Sequence, residues 1–191
     1  MFVGVEPRWV DVDGVPTRYF EAGRGEPILL VTGGNLGHRG TPSIVEVWDK
    51  NFAGLARDFR PIAVDKLGMG YTGNPKADDD YTMQTMVQHL ADFIRVLNLE
   101  RVHVVGQSRG AMAAVALAIH HPERVASCTI VNTSTLAPGI GLNEVANAGC
   151  PYPPGTEEAI RWSPIRGASE YSKEFLDKLI DVWRLPKYQE S

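Results

Sequence analysis

Residues 101–119, RVHVVGQSRGAMAAVALAI, decide the fold of this chain. A short β-branched run leads into Gly106-Gln107-Ser108-Arg109-Gly110, and an alanine-rich segment of high helix propensity follows at once. This pattern predicts a strand, a sharp turn and a helix. Such a reversal forces Ser108 into a sparsely populated backbone conformation, and it needs glycine at 106 and 110 because larger side chains would clash. The turn therefore holds Ser108 out at the edge of a sheet.

The position of Ser108 at the start of a helix also affects the reactivity expected of its hydroxyl. The first backbone N–H groups of a helix have no partner within the helix, and the positive end of the helix dipole lies there. A negative charge that develops on a serine oxygen is stabilised in that place. A Gly-x-Ser-x-Gly turn between a strand and a helix is a nucleophile elbow, so Ser108 is the candidate catalytic residue.

The composition is that of an ordinary globular domain: 191 residues, 43% hydrophobic and 22% charged. A net charge of −4 without a basic cluster argues against nucleic acid or an anionic membrane as a partner and favours a small-molecule substrate. Apolar runs are too short to span a membrane, and the N-terminus does not resemble a signal peptide. We therefore expect a cytoplasmic location.

Neither metal nor cofactor is expected. Cys128, in a strand predicted to be buried, and Cys150, in a loop, lack metal-type spacing and are expected to be free thiols. The acidic run at residues 78–80 is interpreted as a solvated turn, because adjacent carboxylates point in different directions.

Strands are predicted at residues 8–12 and 17–22, which form a hairpin, and at 28–31, 60–65, 102–105 and 126–131. Helical spacing of apolar residues is found at 44–57, in the stretch that follows a cap at Thr82, and after the elbow. From residue 28 to residue 131 the order is β-α-β-α-β-α-β. This order predicts the α/β class, with a mainly parallel sheet and helices on both faces.

Loops at the carboxyl ends of parallel strands form the site in such a fold. The loop after residue 31 contains Gly33, Gly34, Asn35 and His38, and its glycines let backbone N–H groups approach a ligand. Beyond residue 132 many glycines and prolines precede helical stretches at 157–162 and 173–183. We therefore divide the chain into a core, residues 1–137, and a partial helical cap, residues 138–191.

The motifs together resemble the α/β-hydrolase superfamily, and more narrowly the meta-cleavage-product hydrolases, which cut a carbon–carbon bond in ring-fission dienoates. The similarity runs from residue 27 to residue 138 and includes the glycine pair, the Asp65-x-x-Gly68-x-Gly70 turn and the elbow. The resemblance implies an α/β-hydrolase fold and a serine-dependent hydrolase.

The resemblance also implies roles for individual residues. Ser108 would be the nucleophile or would aid attack on a ketone, and the backbone N–H groups of Gly34 and Arg109 would form the oxyanion hole. Gly33, Asn35, His38 and Gln107 would contact the substrate. Three positions depart from the family pattern: Thr32 stands where the family has His, Gln107 where it has Asn, and Leu179 where it has a cap Arg.

The other triad members are not at their usual places, because the family's acid and histidine follow strands beyond the cap and this chain stops at Ser191. His103 is expected in the core, His120 and His121 at a helix end, and His89 on the surface. His38 alone lies on a site-facing loop, more as a substrate contact than as a base. Asp65 is expected to brace its own loop, and Asn132 cannot replace a carboxylate.

Two hypotheses follow. The chain is the serine-bearing part of a hydrolase with a missing C-terminal segment, or it is a non-catalytic hydrolase-like module for ligand binding or assembly. In either case residues 126–131 would form an apolar sheet edge, which predicts self-association or aggregation of the chain alone.

Overall fold

A computed structural model describes residues 2, 4–34, 42–133, 135–136, 151–153, 156–162 and 172–189. Its six-stranded sheet has the order β1-β2-β4-β3-β5-β6. The hairpin strands pair antiparallel, β2 also runs antiparallel to β4, and β4, β3, β5 and β6 are mutually parallel. The mainly parallel sheet is thus confirmed. The strands are β1 (Arg8–Val12), β2 (Val15–Glu21), β3 (Pro27–Val31), β4 (Arg60–Val64), β5 (Val102–Gln107) and β6 (Val125–Val131).

The helices connect these strands and extend beyond them. They are α1 (Asp49–Leu55), α2 (Met83–Val96), α3 (Arg109–His120), α4 (Glu157–Trp162), α5 (Lys173–Trp183) and α6 (Pro186–Gln189). The segment predicted as one helix at 44–57 begins as a 3-10 turn, Val45–Trp48, before α1. Thr82 caps α2 as expected, because its hydroxyl accepts a hydrogen bond from the Thr85 N–H at 3.1 Å. None of the helices in the described ranges is long and apolar enough to cross a bilayer.

Alternation along the central strands explains why helices cover both faces of the sheet. In β3, Leu29 and Val31 pack with α2 and α3, whereas Ile28 and Leu30 pack with α1 and the N-terminal Phe2. Leu29, Leu30 and Val31 are fully buried, as a strand between two helical layers requires. This packing holds the carboxyl ends of the strands rigidly in place.

The last strand corrects one expectation. The strand of Cys128 was expected to be buried, but most of β6 is exposed, with Ile130 at 50% exposure and Cys128 on the surface. The sheet edge expected at residues 126–131 is present among the described strands. Among the described strands β6 pairs only with β5, so it lies at the edge of the sheet. An apolar run has the same composition at an edge and in a centre, and only its neighbours distinguish the two. Self-association through this edge stays a prediction.

His89 corrects a second expectation, because it is only 7% exposed rather than a surface group. The β1–β2 hairpin covers this side of α2, and His89 Nε2 lies 3.0 Å from the Thr17 hydroxyl. That hydroxyl donates to the Val15 carbonyl, so it accepts from the ring and Nε2 carries the proton. Nδ1 has no hydrogen-bond partner among the described residues. Burial lowers the pKa of His89 to about 4, only partly offset by Asp92.

The lowered pKa of His89 predicts a loss of stability in mild acid. The unfolded chain takes up a proton near pH 6.5 and the folded chain only near pH 4, so stability falls as the pH drops between these values. The full effect is roughly 3 kcal/mol. Urea unfolding at pH 7, 5.5 and 4 should show a steeper loss for the wild-type chain than for His89→Gln. The exposed His120→Gln should behave like wild type, and equal slopes for all three chains would contradict the assignment.

Candidate active site

The register of the sheet brings the candidate residues to one edge. Val64, Val31, Gly106 and Ile130 occupy one row across the four parallel strands. The residues that follow this row, in the loops after β4, β3, β5 and β6, therefore lie side by side. The elbow and the loop that begins at Thr32 are neighbours in this arrangement, as the sequence predicted.

Ser108 has the expected strained backbone, with φ 53° and ψ −126°. Its N–H donates to the Val131 carbonyl at 3.0 Å, which ties the turn to the end of β6, and α3 begins at Arg109. The Ser108 side chain is half-buried and does not cap its own helix. A conformation of this kind costs about 1–3 kcal/mol and persists only where its surroundings enforce it. The predicted strand-turn-helix elbow is therefore present, and the contacts around Ser108 maintain its strained backbone.

The two elbow glycines are required by close backbone contacts. A Cβ at Gly106 would lie 2.5 Å from the Gly110 carbonyl oxygen, and one at Gly110 would lie 2.3 Å from the Thr32 carbonyl oxygen. These contacts bring α3 directly against the end of β3. The predicted reason for both glycines is confirmed.

Gly110→Ala is expected to destabilise the fold by about 2–3 kcal/mol, because the new methyl group meets backbone that cannot move without shifting β3. Gly54→Ala in α1 is the matched control. Open space surrounds Gly54, and alanine there should stabilise by about 0.5–1 kcal/mol. Thermal unfolding of both variants checks the prediction, and a Gly110→Ala chain as stable as wild type would contradict it.

The loop after β3 lies against the elbow. The Gly33 N–H donates to Gln107 Oε1 at 3.1 Å, and a Cβ at Gly33 would lie 2.9 Å from Ser108 Cβ. The Gln107 amide therefore supports the loop. The roles expected for Gln107, Gly33, Gly34 and Arg109 toward a substrate stay predictions.

Asn35 and His38, the other expected substrate contacts, lie outside the described residues, as does Cys150. Among the described residues no histidine is hydrogen-bonded to Ser108. His103 is half-buried rather than in the core, and its ring lies 2.7 Å from the Ser127 hydroxyl across β5 and β6. In the same described ranges no group of three or more His, Cys, Asp or Glu side chains could hold a metal ion.

Comparison with known proteins now identifies the family. The family described as alpha/beta hydrolase fold matches residues 26–163, which include the four parallel strands β3 to β6 and the elbow. The chain belongs to the α/β-hydrolase family.

Among curated relatives, the 2-hydroxy-6-oxo-6-(2'-aminophenyl)hexa-2,4-dienoic acid hydrolase of Metapseudomonas resinovorans is 36% identical over 130 residues, 68% of this chain and 43% of that hydrolase. Among solved structures, a serine hydrolase involved in carbazole degradation, CarC, has a TM-score of 0.76 at 26% identity, over 98% of this chain and 67% of that one.

A second solved structure is CumD, a meta-cleavage product hydrolase from Pseudomonas fluorescens IP01, as a serine-to-alanine mutant with acetates. Its TM-score is 0.78 at 25% identity, over 96% of this chain and 65% of that chain. The chain spans less than half of the length of the aminophenyl dienoic acid hydrolase that it matches.

Asp65 braces this α/β-hydrolase site as expected. It accepts hydrogen bonds from the Tyr71 and Val45 backbone N–H groups, each at 3.0 Å, and from Arg18 Nε at 2.6 Å. Arg18 also forms a bidentate pair with Glu46, and all three charged side chains are almost fully buried. Burial raises the pKa of the Asp65 carboxyl, and the Arg18 guanidinium opposes that rise.

The cap segment is attached to this same network. Lys178 of α5 pairs with Glu46 at 2.5 Å, and Lys187 of α6 donates to the Thr72 carbonyl at 2.5 Å. Leu179, the expected counterpart of a cap arginine in the family, is buried in an apolar cluster with Ile44. The proposed division into core and cap residues stays a prediction.

Lys66 is the residue that reasoning from the sequence missed. It follows Asp65 at the end of β4, is fully buried, and its Nζ donates to the Gly34 carbonyl at 3.0 Å. The available signal was a lysine two residues after the apolar run at residues 61–64, at the edge that carries the elbow. Burial cannot be inferred from that signal, so Lys66 was not recognised.

Proposed function

We propose that this chain carries the serine-bearing part of a hydrolase that acts on a small carbonyl substrate, an ester or the carbon–carbon bond of a ring-fission dienoate. The observation that carries the proposal is Ser108 in a strained elbow that packs directly against the Gly33–Gly34 loop. A strained residue held this firmly points to function.

The proposed mechanism uses the two sides of this contact. The Gly34 and Arg109 N–H groups polarise the substrate carbonyl, and each such donor is worth roughly 3–4 kcal/mol to the transition state. The Ser108 hydroxyl, or a water molecule beside it, adds to the carbonyl carbon as a base removes its proton. The C–O bond of an ester or the C–C bond of a dienoate then breaks, and the leaving group takes up the proton. Where Ser108 attacks, water then adds to the acyl-enzyme, the bond to the serine oxygen breaks, and the acid product and the free hydroxyl are released.

The relatives support the dienoate as substrate class. The curated relative from Metapseudomonas resinovorans is named for a dienoic acid, and CumD is a meta-cleavage product hydrolase. Ser108 lies within residues 26–163, the region that matches the alpha/beta hydrolase fold family.

A non-catalytic ligand-binding or assembly module is the second candidate. One observation favours it: no described histidine contacts Ser108, and a serine without an adjacent base is a poor nucleophile. The expected cytoplasmic location belongs with either candidate as a prediction.

The test is to assay this chain, and the longer product wherever the reading frame continues past Ser191, with p-nitrophenyl esters and ring-fission dienoates. Turnover that disappears in Ser108→Ala supports the hydrolase. A longer product that binds dienoates without turning them over would favour the module.

A further inference from the structure

Lys66 is a buried cation with one described partner, a backbone carbonyl. Its side chain has no solvent exposure, and its Nζ donates to the Gly34 oxygen at 3.0 Å. Among the described residues, no carboxylate lies within ion-pair distance of it. Asp65, the adjacent residue, directs its carboxylate to Arg18 instead.

We propose that Lys66 is a positioning residue for the oxyanion hole, which it maintains by its hydrogen bond to the Gly34 carbonyl. The proposal rests on the oxyanion role of the Gly34 N–H in the proposed function. It makes Lys66 part of the apparatus that prepares the loop before substrate arrives.

The backbone geometry shows how this contact orients the N–H. The Gly33 N–H is bound by Gln107 and the Gly34 carbonyl is bound by Lys66. The Gly34 N–H belongs to the peptide unit that joins residues 33 and 34. This unit lies between the two peptide units whose groups are hydrogen-bonded, so those contacts orient it. Gly34 has φ 80°, a left-handed conformation without the restraint that a Cβ would impose, so outside contacts must select its orientation.

Packing alone does not account for Lys66. A buried ammonium without a carboxylate partner destabilises a fold, and an apolar side chain of similar length would fit the same space at lower cost. Burial, together with the charge of Arg109 at the start of α3, lowers the pKa of Lys66 to about 7. A residue that weakens the fold at the edge that carries the elbow is better explained by function than by structure.

The first test measures the contact itself, without turnover. Lys66→Met should raise the melting temperature at pH 6.5 by at least about 5 °C. The gain should shrink from about pH 7 to pH 10, because the folded wild-type lysine loses its proton there while the unfolded one keeps it.

Amide exchange at Gly33, whose N–H is bound by Gln107, should be at least about tenfold faster in Lys66→Met, since the loop loses an anchor. Lys76→Met is the matched control, because Lys76 forms an exposed pair with Asp13, and it should change neither the melt nor the exchange. A variant that melts lower than wild type, or unchanged exchange at Gly33, would overturn the proposal.

The second test uses kinetics on the form that turns over. Lys66→Met should lower kcat roughly 10- to 100-fold and change KM less than about threefold, because a displaced donor acts on the transition state. Lys66→Gln, which keeps a donor, should recover part of kcat. An unchanged kcat in Lys66→Met would overturn the positioning role. Turnover that survives Ser108→Ala would overturn the proposed function alone, because exchange at Gly33 reports the anchoring of the loop separately.

Discussion

Ser108→Ala is expected to lower kcat at least about 10³-fold and to leave the substrate Kd within about threefold. The alanine removes the attacking oxygen but keeps the turn, because both side chains accept the same φ of 53° at similar cost. Single-turnover kinetics with a dienoate, and calorimetric titration with the same compound, measure the two quantities. Ser127→Ala on β6, remote from the elbow, should leave both unchanged.

A further variant separates chemistry from strain at the same position. Ser108→Gly should lose as much activity as the alanine variant but gain about 1 kcal/mol of stability, because glycine relieves a left-handed backbone. Turnover by Ser108→Gly near the wild-type rate would refute a nucleophilic or attack-aiding role for the serine.

Arg18→Met is expected to lower the free energy of unfolding by about 3–5 kcal/mol, because it leaves the buried Asp65 without a cation and Glu46 with Lys178 alone. Arg18 also stacks on Tyr71, with its guanidinium carbon 4.3 Å from the ring centroid, so the loop that ends the Asp65 turn loosens as well. Denaturant unfolding of wild type and Arg18→Met measures the difference in the free energy of unfolding. Arg95→Met, in an exposed pair with Asp92, should cost less than about 1 kcal/mol.

The pH dependence provides a second measure of the Arg18 network. In Arg18→Met the buried Asp65 carboxyl loses the guanidinium that opposes the rise of its pKa, so the folded variant binds more protons than the unfolded chain and gains stability as the pH falls. Its deficit against wild type should therefore shrink from pH 7 to pH 4.5. A deficit that stays constant over this range would show that lost packing, rather than unpaired charge, causes it.

Much of the fold followed from local pattern. The β-branched run before Gly106 and the alanines after Gly110 predicted β5, the elbow and α3, and all three are present. The hairpin of β1 and β2 and the cap at Thr82 were predicted in the same way. Each is determined by residues within one or two turns of chain, where propensity and steric exclusion act directly.

The failures share a different cause. His89 looks like a surface group on the pattern of α2 alone, but the distant β2 covers it. Residues 126–131 have the composition of a central strand, yet β6 has one described neighbour. In both cases, burial depends on what packs against the element from elsewhere in the chain.

The amino-acid sequence by itself therefore determined the strand-turn-helix around Ser108, the order of the elements and the edge on which the site lies. Only the tertiary structure placed Gln107 and Lys66 on the Gly33–Gly34 loop and joined Arg18, Glu46 and Asp65 in one buried network. The physical reason is the separation in sequence of the residues that interact. Backbone conformation is set by neighbouring residues, whereas the burial and pairing of charged groups are set by contacts between residues far apart in the chain.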